Sequence, residues 1–564
     1  MNNETTHRIS RDLAVSKNGM VAAKHPLAVR AALEVLRQGG NAVDAAVTAA
    51  FSIGVLEPWM SGIGGVGFMT IQMADGRRKV IDYFGCAPQA SSADMYELTD
   101  GFKADVVGFQ GVKNQANAYG PLSVAVPGMV AGMATALEHF GTISLGRAVQ
   151  PAIGFAEQGL PINWYNGMLL GSQLATIQRD AETSRIFLRG GTTPAPLFGD
   201  VIPSLPQADL AKTLRRIADE GADGFYRGEV AERIAAHMHA TGGMITTEDL
   251  ANYRTKIVDP LVIPYRDIEF VLLPNQAGGI TIAETLNIVE GFDLRSSGFN
   301  SATSLHHIAE ASRRSYADRF AYVGDPAFVD IDWSVLSSKE YAAGRRAEID
   351  SNQVVPARPG SGVARGVTPD AVASTGDGGC TTHLSVVDAE GNMVSLTQTL
   401  TLIFGSTVTV PGTGILLNDS MNLFDPLPGQ NNSVAPGKRP ASSMSHVVAV
   451  REGTPILAVG APGGRRIMDT CMQMALDVVE FSLDIQSACA APLIDCAGPE
   501  LLVDDRIPES TRETLKAKGH DVVAVEVSFS PRGFASPTGV TVDPQSGLRY
   551  GGADPFGIGI AAGH

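Results

Sequence analysis

Apolar residues between His25 and about Val55 recur at helical spacing, first Val29, Ala32, Leu33 and Leu36, then Val43, Ala46, Val47, Ala50 and Ile53. Gly39-Gly40-Asn41 separates the two runs, so the pattern predicts two helices with a break between them. A glycine-rich loop follows. Phe68-Met69-Thr70-Ile71-Gln72 and Lys79-Val80-Ile81-Asp82-Tyr83 then flank Ala74-Asp75-Gly76, which predicts a β-hairpin. Helical spacing dominates from Gly128 to about Val323, with helices expected over 129–139, 147–158, 210–219, 229–239, 280–289 and 304–320. On this reading the first two thirds of the chain are mostly helical. From 351 to 379 Pro, Gly and Ser are scattered throughout with little that could pack, which predicts a flexible tether. The chain then becomes strand-like. Residues 381–388 and 392–400 flank Ala389-Glu390-Gly391, a three-residue hairpin loop with Gly where a positive φ is wanted. No internal repeat is visible.

Composition narrows the class. The 564 residues carry 43 Lys+Arg and 59 Asp+Glu, a net charge of −16 that disfavours a nucleic-acid partner. With 44% apolar and 18% charged residues the chain can bury a large core. The longest apolar stretch, 45–56, is short of the roughly 20 residues a membrane span requires, so no membrane partner is expected. The first residues are polar and mixed in charge, without the apolar core of a secretory signal, so a cytoplasmic location is expected. Cys86, Cys380, Cys471, Cys489 and Cys496 are odd in number and never in a Cys-x-x-Cys arrangement, and read as reduced thiols.

Gly62-Ile63-Gly64-Gly65-Val66-Gly67 matches G-x-G-x-x-G letter for letter. A dinucleotide fingerprint follows a strand and opens a helix, whereas here a helical segment precedes and a hairpin follows. The glycines therefore read as a loop packed closely against another backbone. His237 and His239 lie two apart on an expected helix, and His306 and His307 are adjacent, so neither pair has helical metal-ligand spacing. No metal and no cofactor is expected.

The junction Gly378-Gly379-Cys380-Thr381-Thr382-His383 carries the chemistry. A tether ending at the first residue of a Thr-bearing strand is what self-cleavage requires, because the hydroxyl is held rigidly against the preceding carbonyl while the upstream chain bends. Cleavage would leave Thr381 with a free amine of unperturbed pKa near 8, able to act as base for its own hydroxyl. Taken alone, Thr-Thr also starts many ordinary strands. If Asp388 faces Asn392, Ser385 lies opposite Ser395 and Thr381 opposite Thr399, with Cβ atoms about 5 Å apart. A bulge at Gly391 would shift that register by one. Downstream, Gly463-Gly464 stands between the strand-like 455–459 and the helical 467–481. Adjacent glycines at a helix start expose N–H groups to a developing oxyanion, or form a plain turn.

These segments together resemble the γ-glutamyltransferase (glutathione hydrolase) family of N-terminal nucleophile hydrolases over nearly the whole chain. The matches are Thr381 to Asp388 with Gly391-Asn392, Gly414-Ile415-Leu416-Leu417-Asn418, Lys438-Arg439-Pro440 with Ser442-Ser443-Met444-Ser445, Gly463-Gly464 and the glycine loop from Gly62. The resemblance implies an αββα sandwich of α+β class and a proenzyme cut between Cys380 and Thr381 into a large subunit, 1–380, and a small subunit, 381–564, that stay together. It further implies that Thr381 attacks an amide, Thr399 supports it, Gly463 and Gly464 hold the oxyanion, and water or an amine resolves the acyl-enzyme.

The chain also departs from the family pattern. Where members acting on γ-glutamyl compounds carry an Arg for the substrate α-carboxylate, Phe84 stands. Where they carry an Asp for the α-ammonium, Leu423 stands, and an Asn beyond the supporting Thr is replaced by Thr401. Losing both ionic handles would cost a zwitterionic substrate on the order of several kcal/mol. The expected enzyme is a self-processing amidohydrolase whose substrate is a small amide other than a standard γ-glutamyl compound. Ser420, Ser442, Ser443 and Arg465 join Thr401, Phe84 and Leu423 as candidate substrate-binding residues, so small acidic or oxo-acid amides of the oxamate type are an alternative, as are larger acylase substrates. A non-catalytic binding homologue is the alternative of another class.

Overall fold

The computed structural model describes residues 9–99, 108–194, 203–363, 380–527 and 533–564. Two seven-stranded sheets stack face to face. One runs in the order Met20–Ala23, Cys380–Val387, Met393–Thr401, Val66–Gln72, Arg78–Asp82 and Lys256–Val258, with Ile560–Gly563 on the free edge of Met20–Ala23. The other is built around the pair His446–Arg451 and Thr454–Gly460, flanked by Ile268–Leu272 and Leu261–Tyr265 on one side and by Thr538–Val542, Arg549–Ala553 and Ala14–Ser16 on the other.

Strand alternation gives every central strand two apolar faces, since both faces are covered. Met20, Val387 and Met393 of the first sheet meet Val271, Val448, Val450, Ala458 and Val540 of the second in the layer between them. On the outer face of the first sheet, Leu384, Val386, Val394 and Leu396 pack under helices Pro26–Arg37, Ala42–Leu56, Met129–Phe140 and Leu145–Gln158. On the outer face of the second, Phe270, Leu272, Val447 and Val459 pack under Gly279–Val289, Ala302–Tyr322 and Ile467–Val479. The result is the expected αββα sandwich. No helix among the described residues is long and apolar enough to cross a membrane.

The predicted helices form within a few residues of their expected bounds, and the break at Gly39-Gly40-Asn41 ends in an Asn41 cap with Asp44 closing a capping box. Three expectations need correction. The span read as helical from 128 to 323 contains strands Lys256–Val258, Leu261–Tyr265 and Ile268–Leu272. Lys256–Val258 and Leu261–Tyr265 are edge strands, only partly covered, and Pro264 faces solvent where a missing N–H costs no ladder bond; Ile268–Leu272 lies inside the sheet, between Leu261–Tyr265 and His446–Arg451. The first part of the expected tether is docked. Val355 N–H donates to Glu310 Oε2 (3.1 Å), Gly360 N–H to Asp318 Oδ1 (2.6 Å), Tyr322 hydroxyl to Gly360 O (2.6 Å), and Val363 is buried. Backbone bonds to a helix replace the packing that its composition withholds. The remainder, 364–379, with Gly378 and Gly379 of the junction motif, lies outside the described residues. Finally, the hairpin keeps the Asp388–Asn392 pairing and a positive φ at Gly391, but the register slips at its other end, between Cys380 and Thr382.

Candidate active site

Cys380 lies opposite Thr401 and Thr382 opposite Gln398, so Thr381 faces two residues, Thr399 and Leu400, and the bulge lies on the strand Met393–Thr401 directly opposite Thr381. A bulge re-aims one side chain without breaking the ladder on either side. Here it brings Thr381 Oγ1 to 2.5 Å from the Cys380 carbonyl oxygen and 3.3 Å from Thr399 Oγ1. The Thr399 hydroxyl also donates to the Cys380 carbonyl. Its own acceptor side is taken by the Thr401 N–H at 2.8 Å, which leaves its proton directed at that carbonyl. Thr401 holds φ at +90°, a strained conformation for a β-branched residue. The strain is braced on both sides: Thr401 Oγ1 bonds Ser420 Oγ (2.8 Å), and the next N–H, of Leu402, donates to Asp419 Oδ1 (2.9 Å). Asp419 is wholly buried, and burial raises its carboxyl well above the usual range.

The glycine loop does what its sequence context suggested. A Cβ on Gly64 would sit 2.3 Å from the Leu416 carbonyl oxygen, and one on Gly65 2.6 Å from that of Thr399. The loop thus backs directly onto the supporting strand.

Gly463 and Gly464 follow strand Thr454–Gly460 and open the turn into helix Ile467–Val479. Gly460 lies against the ring of His383, two residues beyond Thr381, so the turn leaves its strand at the Thr381 end of the layer. A Cβ on Gly463 would meet Ala535 Cα at 2.6 Å, which holds this turn to glycine.

Leu423, Ser443 and Arg465 come together on a cleft of about 130 Å³, with Arg319, Phe320, Asn431 and Asn432. Leu423 ends the short helical turn that begins at Ser420, so the cleft is one turn away from the hydroxyls of Thr401 and Thr399. Arg465 lies over the Phe109 and Phe320 rings at 5.7 and 5.2 Å. Ser442 is placed differently: its hydroxyl accepts from Met444 N–H and its carbonyl from Arg319 Nη2 (2.8 Å). Phe84 does not line the cleft. It is fully buried, stacked on Phe68 at 5.2 Å, in an apolar cluster with Val66, Leu273 and Met444 against which Leu423 packs.

Arg319 and Phe320 were not foreseen as site residues. Burial lowers the Arg319 guanidinium to about 10, with nearby Arg465 acting in the same direction, and it remains a cation at neutral pH. Nothing in the spacing of a 21-residue helix marks two of its positions as cleft wall; only the second sheet's packing does so. No group of three or more His, Cys, Asp or Glu among the described residues is arranged to hold a metal ion.

Comparison with known proteins bears on this geometry. The family model for gamma-glutamyltranspeptidase matches residues 28–564. The chain is 38% identical to an acylase ACY 1 proenzyme of Pseudomonas sp. (strain V22), over 95% of this chain and 92% of the relative. It is 36% identical to a glutathione hydrolase proenzyme of Pseudomonas sp. (strain A14), over 94% and 89%. The crystal structure of a cephalosporin acylase from Bacillus halodurans superposes with a TM-score of 0.87 at 29% identity, covering 100% of this chain and 99% of that one.

Proposed function

The chain belongs to the gamma-glutamyltranspeptidase family, whose relatives include autoprocessed glutathione hydrolases and acylases, and within it we propose that this protein is an acylase with Thr381 as its nucleophile. The observation that carries the proposal is the Thr381 hydroxyl held 2.5 Å from the Cys380 carbonyl oxygen while Thr399 donates to that same oxygen.

In the precursor, Oγ1 of Thr381 attacks the Cys380 carbonyl carbon. The C–N bond breaks, the amide nitrogen takes up a proton, and an ester remains. Water hydrolyses the ester, leaving a carboxylate on Cys380 and a free amine on Thr381. That amine then takes the hydroxyl proton as Oγ1 attacks a substrate amide. The N–H groups of Gly463 and Gly464 receive the developing oxyanion, and the proton passes to the leaving amine. A second attack, by water or an acceptor amine, releases the acyl group.

The pocket chemistry favours an acyl group without an α-ammonium. Leu423 on the cleft wall offers no charge, and stripping an ammonium of water against it leaves that group unpartnered. A second reading rests on Arg465 and Ser443 sharing the cleft: a small acidic or oxo-acid amide would find a cation there. Release of amine from a panel of matched amides tests both. The proposal expects acyl groups lacking the α-amino group to exceed γ-glutamyl by tenfold or more in kcat/KM, and equal turnover of glutathione would overturn it.

A further inference from the structure

The layer between the sheets is apolar over most of its extent and polar at one end. There Ser385 Oγ meets His383 Nε2 (2.9 Å), His383 Nδ1 meets Thr397 Oγ1 (2.9 Å), Thr397 Oγ1 meets His446 Nδ1 (3.1 Å), and His446 Nε2 meets Thr70 Oγ1 (2.7 Å). All five side chains are fully buried. Ser385, His383, Thr397 and Thr70 come from three adjacent strands of the first sheet, and His446 from the second.

Every link can be satisfied at once. Each neutral imidazole offers one donor and one acceptor and each hydroxyl one donor and two acceptor sites, so the four bonds are satisfied either head to tail from Ser385 to Thr70 or with Thr397 Oγ1 accepting from both rings. Burial keeps both rings neutral, pressing His446 down to about 3 and His383 well below its ordinary value, where His446 and Lys24 add to the effect.

We propose that this chain of five side chains is a positioning device that locks the two sheets in register beneath the reacting groups. Four placements support it. His383 and Thr397 form a rung two residues along the strands from Thr381 and Thr399. His446 is the first strand residue after the cleft segment that carries Ser442 and Ser443. Gly460, three residues before Gly463, is so close to the His383 ring that an added Cβ would sit 2.3 Å from Cε1. The rest of the layer, Met20, Val387, Met393 and Val450, packs by apolar contact, which resists separation but not sliding. Directional bonds resist sliding, and they stand at the end where a nucleophile from one sheet must meet an oxyanion turn and an acyl cleft from the other. Acyl transfer needs reacting atoms held to within fractions of an ångström, and a misplacement of 1 Å costs on the order of 100-fold.

The inference rests on Thr381 being the nucleophile, and its test separates the two. Thr397→Val removes the hydroxyl that joins the two rings while keeping side-chain shape; Thr397→Ser keeps the hydroxyl. Expected for Val are slower scission of the Cys380–Thr381 bond and a kcat lowered by about 10- to 100-fold, with KM within about twofold. Ser should restore both. A structural role alone would lower the melting temperature without this split between kcat and KM. If the Val variant does not fold, Thr70→Val opens the chain at its far end and is read the same way. Equal rates for Val and Ser variants overturn the positioning role while leaving the nucleophile intact. Scission of Thr381→Ala at the same bond overturns the nucleophile itself.

Discussion

Thr399→Ala removes one hydroxyl from the scissile bond and should slow self-cleavage before it affects anything else. That hydroxyl donates to the Cys380 carbonyl oxygen, which on the proposed mechanism would become the oxyanion when Thr381 attacks. Loss of one positioned oxyanion donor costs about 2.7–4 kcal/mol, or 100- to 1,000-fold in rate. A second, smaller effect follows from the same atom. The buried Thr401 N–H loses its acceptor, and an orphaned donor costs about 1–3 kcal/mol of stability at a residue already strained at φ +90°. Thr399→Ser keeps both bonds and should behave like the unmodified chain. Pulse synthesis in a cell-free system, followed by denaturing gels over time, gives the scission rate directly; thermal melting of the uncut species gives the stability. Cleavage of the Ala variant within about twofold of the unmodified rate would refute the role of Thr399. Slow cleavage of both Ala and Ser variants would show that the methyl group, and not the hydroxyl, matters.

Leu423→Asp should raise γ-glutamyl anilide turnover and lower that of acyl groups without an α-amino group, measured as kcat/KM; no change would mean that other residues set the acyl preference. Gly64→Ala should lower the melting temperature and cut yield, because its Cβ would sit 2.3 Å from a backbone oxygen that cannot move cheaply, at a cost of about 1–3 kcal/mol; an unchanged melt would contradict that contact. His446 has an ordinary value of 6.5 and a folded value of about 3, so the unfolded chain binds the extra proton as pH falls. Its contribution is therefore complete above about pH 6.5 and is lost toward pH 3 at up to about 1.4 kcal/mol per unit. Asp419 and Asp477, raised by burial, act in the opposite sense, so the readout is the difference: His446→Gln should show a shallower loss of stability between pH 6.5 and 5 than the unmodified chain.

How much of this was legible in the sequence depends on the range of the contact. The Thr381–Thr399 pair could be read from a short hairpin, because alternation and a three-residue loop fix partners locally. The slip between Cys380 and Thr382 could not, since it answers to Thr401 and Asp419 at the strand's far end. The glycine loop was readable as a close approach, though not that it backs onto Thr399. The cleft draws on a helix, two loops and the turn after Gly464, residues separated by over a hundred positions, and no local period records such a meeting. The docked stem of 351–363 was read as loose because composition reports side-chain packing, whereas backbone bonds to Glu310 and Asp318 hold it.

The central claim is that one residue, Thr381, first cuts its own chain and then serves as the enzyme's nucleophile. The most direct measurement is intact-mass analysis with N-terminal sequencing of freshly purified protein beside Thr381→Ala. The account predicts two fragments from the unmodified chain, the smaller beginning Thr-Thr-His, and a single uncut chain from the variant. A variant cut at the same bond, or an unmodified chain that stays whole while hydrolysing amides, would contradict it.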